Sequence, residues 1–299
     1  MTSSLEPIVF LSLVVGAIAA VILGGVLVAL VAFTLRYRDV RRVVPQIHGH
    51  RTLEIVWTAV PLGLLVVVFV LSLVTLGQIG RGATFGSLEP PVRIAVTGHQ
   101  WWFEFRYANG AVTANELHIP AGIPVELALE STDVIHDLWV PELGAKSDVI
   151  PGQRNVMRLF TARPGTFAGT CAEFCGLEHA WMRIVVIAEP RADFDRWVAA
   201  QAAAPTATGR GLEVFRSAVC SSCHAVQGQV SVSGPSIGPD LTHVGSRRTL
   251  AGGVLANTPD ALRAWIADPQ RYKPGALMPH VPLSDADLDA VVAYLEALK

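Results

Sequence analysis

Residues 171–182 read CAEFCGLEHAWM, which places Cys171, Glu173, Cys175, His179 and Met182 within twelve positions. His136, in IHDLWVPELG, lies thirty-five positions before Cys171. Two Cys, two His and a Met are a soft to borderline donor set, and thiolate with thioether favours copper over magnesium or calcium. A tetrahedral zinc site could use the same two Cys and two His, although Met182 has no place in it. A Cys171–Cys175 disulfide is the third reading the motif permits.

The residues around this motif read as a β domain. From Pro91 to about Pro190 short alternating runs (VRIAVTG, FEFRY, VELALES, MRIVVIA) are separated by turn signals such as ANG and PGQR. That spacing predicts a β-sandwich or barrel, closed by a helix over Asp193 to about Ala203. Upstream the pattern changes. No charge occurs between Glu6 and Arg36, and a second uncharged run extends from Ile55 to Gly80. Each exceeds the ~20 residues that cross a bilayer core, and the first is too long for a cleaved signal peptide. Arg36, Arg38, Arg41, Arg42 and Arg51 between them, opposed only by Asp39 and Glu54, assign that loop to the cytoplasm. The N-terminus and everything after about Arg81 then face outward.

Composition agrees. Hydrophobic residues make up 51% of the 299-residue chain, charged residues 16%, and mean hydropathy is +0.43, against about 25% charge in soluble domains. Intrinsic disorder is excluded. A net charge of −2 without a basic stripe speaks against a nucleic-acid partner, and the apolar surplus at one end speaks against an all-membrane protein. Residues 80–204 carry net −4 and residues 205–299 are neutral, so the β domain could attract a basic donor.

After the small-residue stretch QAAAPTATG (201–209), read as a linker, stands CSSCH: Cys220, Cys223 and His224. Two thiols three positions apart can add to the haem vinyl groups while the next His reaches the iron, which makes this a c-type haem attachment signature. Met278, in KPGALMPH, is the candidate sixth ligand, with His243, His280 and a plain core Met as alternatives. Thr258 with Pro259, and Ser284 with Asp287, are helix-start signals. Gly211 and Phe215 on the first helix are expected to meet Tyr294 on the last.

The region from about Ile8 to Ala200 resembles cytochrome c oxidase subunit II. The resemblance rests on His136 through Met182, LEIVWTAVP (53–61), GHQWWFEFRY (98–107) and GAKSDVIPGQ. The region from about Gly209 to Lys299 resembles the class I cytochromes c, through CSSCH, GPDLTHVGSR and WIADPQRYKPGALMP. The whole resembles subunit II of a caa-type oxidase. The fold this implies is a multidomain membrane protein: a two-helix transmembrane hairpin (1–85), an all-β cupredoxin-like Greek-key barrel (86–203) and an all-α class I cytochrome c domain (204–299).

By the same resemblance Cys171 and Cys175 bridge the two coppers of a copper A centre, and His136 and His179 cap one each. Met182 is a weak ligand to one copper, and the Glu173 carbonyl binds the other. The Glu173 side chain helps hold a Mg at the junction with subunit I. One haem c is covalently bound, and all four Cys are thereby assigned. Trp139, Phe174 and Trp181 are expected to keep the copper site dry. Glu54 opens the second span and is either a solvated helix start, capped by Thr52, or the mouth of a proton path.

Trp101 and Trp102 pose a conflict. Strand parity puts Trp101 with Phe103, Phe105 and Tyr107 in the core and Trp102 on the surface. The resemblance makes Trp101 the residue that receives electrons over the copper pair, and a bulge would reconcile the two.

The function implied is passage of electrons from haem c to copper A and on to subunit I, where oxygen is reduced with proton translocation. Partners would be subunits I and III, membrane lipid, and an upstream cytochrome or quinol–cytochrome c reductase complex. The location would be the bacterial inner membrane, with both globular domains extracytoplasmic. A nitric oxide reductase subunit, or a stand-alone membrane-anchored electron carrier, are the alternatives.

Overall fold

Two aliphatic runs build the first of two units, Met1–Phe85. The computed structural model describes residues 6–38, 49–82, 89–232 and 237–299; Asp39, Arg41 and Arg42 of the basic loop lie outside them, as does the boundary near residue 85. Helices α1 (Glu6–Tyr37) and α2 (Arg51–Gly82) contact each other. None of the most apolar window of α1, and 6% of that of α2, is buried. An aliphatic surface of that length, uncovered by this chain, calls for lipid. Pro61 lies inside α2 without ending it, which membrane helices tolerate. The cap of α2 differs from expectation. Thr52 falls inside the first turn, and the His50 ring supplies the acceptor, Nδ1, for the Leu53 N–H at 3.3 Å.

The second unit, Gly86–Lys299, begins with ten strands. They are β1 (Val92–His99), β2 (Trp102–Tyr107), β3 (Val112–Ala114), β4 (Glu116–Pro120), β5 (Val125–Ser131), β6 (His136–Val140), β7 (Ala145–Val149), β8 (Asn155–Leu159), β9 (Gly165–Cys171) and β10 (Arg183–Glu189). They form two five-stranded sheets, ordered β3-β2-β1-β5-β8 and β4-β10-β9-β6-β7. The β1–β5 and β10–β4 pairings are parallel and the others antiparallel. Alternation builds the core between the sheets: Val125, Leu127 and Leu129 of β5 are fully buried, as are Phe103 and Phe105 of β2. Helix α3 (Arg191–Gln201) closes the barrel through Phe194.

The remainder holds α4 (Arg210–Ser217), the short ribbon β11 (Thr249–Leu250) and β12 (Leu255–Ala256), then α5 (Pro259–Ala267), α6 (Pro269–Tyr272) and α7 (Asp285–Ala297). Both helix starts behave as read. Thr258 Oγ1 accepts from Ala261 N, and Ser284 Oγ accepts from Asp287 N, each at 3.2 Å. Helix α4 crosses α7 where Gly211 meets Ala290 and Tyr294, and Phe215 packs on Tyr294 with ring centres 5.9 Å apart. A Cβ at Gly211 would stand 2.1 Å from the Ala290 carbonyl oxygen, so the crossing requires glycine. Gly211→Ala should therefore force the helices apart and destabilise this domain by about 1–3 kcal/mol or more. Thermal unfolding followed at the C-terminal domain checks this; an unchanged midpoint would contradict it.

Candidate functional site

Strand β6 opens on His136 and β9 ends on Cys171, and these strands pair with Leu138 opposite Cys171. The two ladders thus deliver two donors to one end of the sandwich. The loop that follows β9 returns Cys175, His179 and Met182 to the same point. The Cys171 and Cys175 sulfurs are 3.8 Å apart, well beyond the ~2.05 Å of a disulfide. Cys175 Sγ stands 3.6 Å from His179 Nδ1 and 3.8 Å from Met182 Sδ. The Glu173 carbonyl oxygen lies 3.2 Å from Cys171 Sγ. Donor atoms of His136, Cys171 and Cys175 all fall within 4.8 Å of one another. His136, Met182 and both Cys are buried, and His179 is half-buried.

The two thiols perturb each other in opposite directions. The hydrogen bond between them draws the Cys171 thiol far below the ordinary range, and the same hydrogen bond, with burial, pushes Cys175 up. The His136 ring is held from behind, with Nε2 2.8 Å from Asp133 Oδ1. Its buried Nδ1 has no hydrogen-bond partner, which leaves that nitrogen free to ligate. Burial raises the Asp133 carboxyl, but hydrogen bonds from His136, Val134 and Gln100 outweigh it and hold the group below its usual value.

A two-residue turn, Gln100–Trp101, joins β1 to β2, since His99 pairs directly with Trp102. Both turn residues grip the ligand loop: Gln100 Nε2 and Trp101 Nε1 donate to the Cys175 carbonyl at 2.7 and 2.9 Å. Gln100 N donates to Asp133 Oδ2 at 2.6 Å. The ladder continues without a bulge, so the expected bulge is replaced by a hairpin turn. Trp101 packs into the barrel core. Trp102 is buried too, 6% exposed, stacked on His99 at 4.1 Å. Burial lowers the His99 pKa to about 4, so this stack is uncharged at neutral pH. The expected dry shell of Trp139, Phe174 and Trp181 is not found. Phe174 is 77% exposed and the other two each 38%.

The second constellation surrounds a cavity of about 190 Å³ whose lining includes Cys220, Cys223, His224 and Met278. His224 Nδ1 donates to the Pro239 carbonyl at 2.8 Å, which leaves Nε2 as the free ring nitrogen. Gly238 allows this placement, because a Cβ there would come within 2.5 Å of the ring. Gln270 shapes the Met278 loop, donating to the carbonyls of Ala276 and Met278. The other two sixth-ligand candidates are engaged elsewhere. His243 Nε2 donates to Ala203 O at 2.9 Å and His280 Nδ1 to Ala267 O at 2.7 Å, and neither is among the cavity's described lining residues. Gln100, Trp101 and Trp102 line this same cavity. Glu54, by contrast, lies on α2 in the first unit.

The two constellations fall within regions that match known families. The family described as "Cytochrome C oxidase subunit II, periplasmic domain" matches residues 111–189, and the cytochrome c family matches residues 209–299. Cytochrome c oxidase subunit 2 of Alkalihalophilus pseudofirmus is 38% identical, over 97% of this chain and 85% of that protein. The chain belongs to the cytochrome c oxidase subunit 2 family. The subunit 2 of Bacillus sp. (strain PS3) is 30% identical, over 89% of this chain and 80% of its own length. This subunit 2 thus carries a cytochrome c domain fused behind its oxidase domain. Membership implies copper A and haem c, and the residues fit both. Soft donors converge with an unpartnered buried imidazole nitrogen, and an apolar cavity lies between the two Cys, a free His nitrogen and a Met.

Sequence reading missed Asp133, Gln100 and Gln270. The one local signal was Asp133, an acidic residue three positions before the candidate ligand His136. Gln100 acts across 75 positions and Gln270 through loop shape, which no spacing encodes. Asp133→Ala should loosen His136 and lower copper affinity about 10–100-fold, with the fold retained. Chelator competition on the purified protein checks it; wild-type retention would contradict it.

Proposed function

We propose that this subunit is where electrons enter a haem–copper terminal oxidase, passing from haem c to copper A and then to subunit I, where oxygen is reduced and protons are translocated. The carrying observation is that Trp101 belongs to both sites: it donates to the Cys175 carbonyl and lines the cavity that holds Cys220, Cys223, His224 and Met278. When bound, a thiolate-bridged copper pair spreads one electron over two metals, so a change of charge alters each bond little.

The chain's residues take distinct roles. Cys171 and Cys175 as thiolates, His136 and His179 as imidazoles, Met182 as a weak thioether donor and the Glu173 carbonyl would together hold a two-copper centre. Cys220 and Cys223 would attach one haem, His224 and Met278 would hold its iron, and Trp101 would conduct between the centres. Gln100 and Trp101 keep the Cys175 carbonyl from shifting with charge, and Asp133 fixes the His136 tautomer. Glu173, with its side chain on the surface, helps hold a Mg against subunit I, and Glu54 leads protons toward that subunit.

The parts are a membrane hairpin (1–85), a copper domain (86–203) and a haem domain (204–299). Both globular domains lie outside a bacterial inner membrane. Exposed Phe174 and Trp139 beside the ligands support a partner surface there, which we assign to subunit I. Subunit III and an upstream cytochrome or quinol–cytochrome c reductase complex complete the assembly.

The reading is tested on the complex purified in mild detergent. It should contain copper and haem in a two-to-one ratio for this subunit and consume oxygen. Turnover of nitric oxide without oxygen would transfer the subunit to a nitric oxide reductase, and purification without haem-bearing partners would make it a lone carrier.

The route through Trp101 has its own test, Trp101→Gln and Trp102→Gln made separately. After flash reduction of the haem, transfer to copper should slow strongly in Trp101→Gln with both absorption spectra unchanged. Slowing in Trp102→Gln alone would assign the path to the His99–Trp102 stack.

A further inference from the structure

Glu116 opens β4 on the copper domain and is 2% exposed, yet it ligates nothing. Its Oε1 accepts from Arg248 N at 2.7 Å, from Thr249 N at 2.8 Å and from Thr249 Oγ1 at 3.2 Å. Among the described residues, every hydrogen bond to this carboxylate comes from the C-terminal domain. Three further contacts follow the same seam. Arg248 Nη1 donates to Thr166 Oγ1 at 3.0 Å, and Arg183 N donates to Gly252 O at 3.2 Å. Lys273 Nζ lies 3.7 Å from Glu178 Oε2, both side chains being nearly inaccessible.

The linker is held as well: Gln227 and Gln229 donate to the carbonyls of Ala202, Pro205 and Ala207. This is not the free tether its small-residue composition suggests. A charged oxygen accepting two main-chain N–H groups and a hydroxyl is a strong form of hydrogen bonding. If the carboxylate is removed, those two N–H groups and the hydroxyl lose their acceptor. The seam also runs along the haem cavity, which the copper domain lines with Gln100, Trp101, Trp102, Ala114 and Asn115.

We propose that the C-terminal domain is a fixed partner rather than a swinging donor: Glu116 clamps residues 248–249, and the clamp keeps the Gln100–Trp102 turn in place as one wall of the haem pocket. The copper domain then helps set the haem's own environment, and electrons reach Trp101 through a covered contact. The proposal rests on the functional reading above for the presence of haem in that cavity. A wall of aromatic rings keeps water from the haem, and burial of that kind is one of the levers on its potential. Water admitted there favours the more highly charged oxidised state, so loss of the wall lowers the potential.

The test uses the full chain in its complex, with Glu116→Ala, Glu116→Gln and Thr249→Val. Wild-type protein is first shown to hold copper and covalent haem by absorption; their absence would overturn the functional reading and not the clamp alone. In Glu116→Ala the ratio of docked to undocked domain should fall about thirtyfold, roughly 2 kcal/mol. That is read as a lower haem midpoint potential, an altered Soret circular dichroism and a slow second phase in haem-to-copper transfer. Glu116→Gln retains an acceptor oxygen and should stay near wild type in potential and dichroism. Thr249→Val removes one donor of three and should move the potential in the same direction by less, and it decides the matter if Glu116→Ala does not fold. An unchanged potential and a single fast phase in Glu116→Ala, or in Thr249→Val where that variant decides, would overturn the proposal.

Discussion

The carbonyl oxygen of Cys175 is the point on which the outer half of this protein depends. It accepts from Gln100 Nε2 and Trp101 Nε1, so the loop that carries the ligands is tied to the turn joining β1 and β2. The tie is tight. Gly176 follows with φ +117, and a Cβ there would come 3.0 Å from the Trp101 ring, which leaves glycine as the residue that fits. Asp133 extends the tie, receiving Gln100 N on one carboxylate oxygen and facing His136 with the other. Segments far apart in the chain are thereby fixed relative to one another by few hydrogen bonds. An electron-transfer site needs that rigidity, because the work of moving atoms when charge changes is what sets its barrier.

Spacing carried most of the sites and little of what holds them. The run from Cys171 to Met182 is local, so the donors could be read directly, and CSSCH is contiguous. Thr258, Ser284, Gly211 and Phe215 were legible because caps and crossings follow rules of a few residues. Trp101 was only half legible. Parity assumes a strand, but Trp101 stands in the turn, where facing is set by backbone geometry and not by alternation. Trp102 has the outward parity, and it is nevertheless buried because it lines the cavity shared with the C-terminal domain. Thr52 looked like a cap by residue type, yet His50 stood one position before the helix with an acceptor in reach. Glu116 could not be found at all, since its partners lie 132 and 133 positions away.

The aromatic residues next to the ligands show how sequence neighbourhood misleads. Trp139, Phe174 and Trp181 adjoin ligands in the chain and suggest a dry shell, but strand and loop geometry turns them outward. Both sulfurs belong instead to the barrel core, with Leu138 beside Cys171 on the neighbouring strand, while Phe103 of the other sheet stands edge-on to His136 at 6.1 Å. Dryness on the inner side is therefore a property of the barrel core, and the exposed rings remain available for another protein surface. A carrier working alone would gain nothing from such exposure, whereas a subunit covered on assembly would.

Fusion of a second domain changes the physics of delivery most when the domain is held. A free tether raises local concentration to about the millimolar range, but each electron would still wait for a productive encounter. A seam built from a buried carboxylate, a buried Lys273–Glu178 pair and main-chain bonds would remove that wait, because the proposed productive geometry would be the resting one. It also removes a choice. Gln100, Trp101 and Trp102 face the cavity that His224 and Met278 line, so a soluble donor cannot approach Trp101 from that side. On the proposed route, electrons arriving from outside would first reach the C-terminal domain, and the seam that speeds the inner step would also make that domain the gate to the copper site.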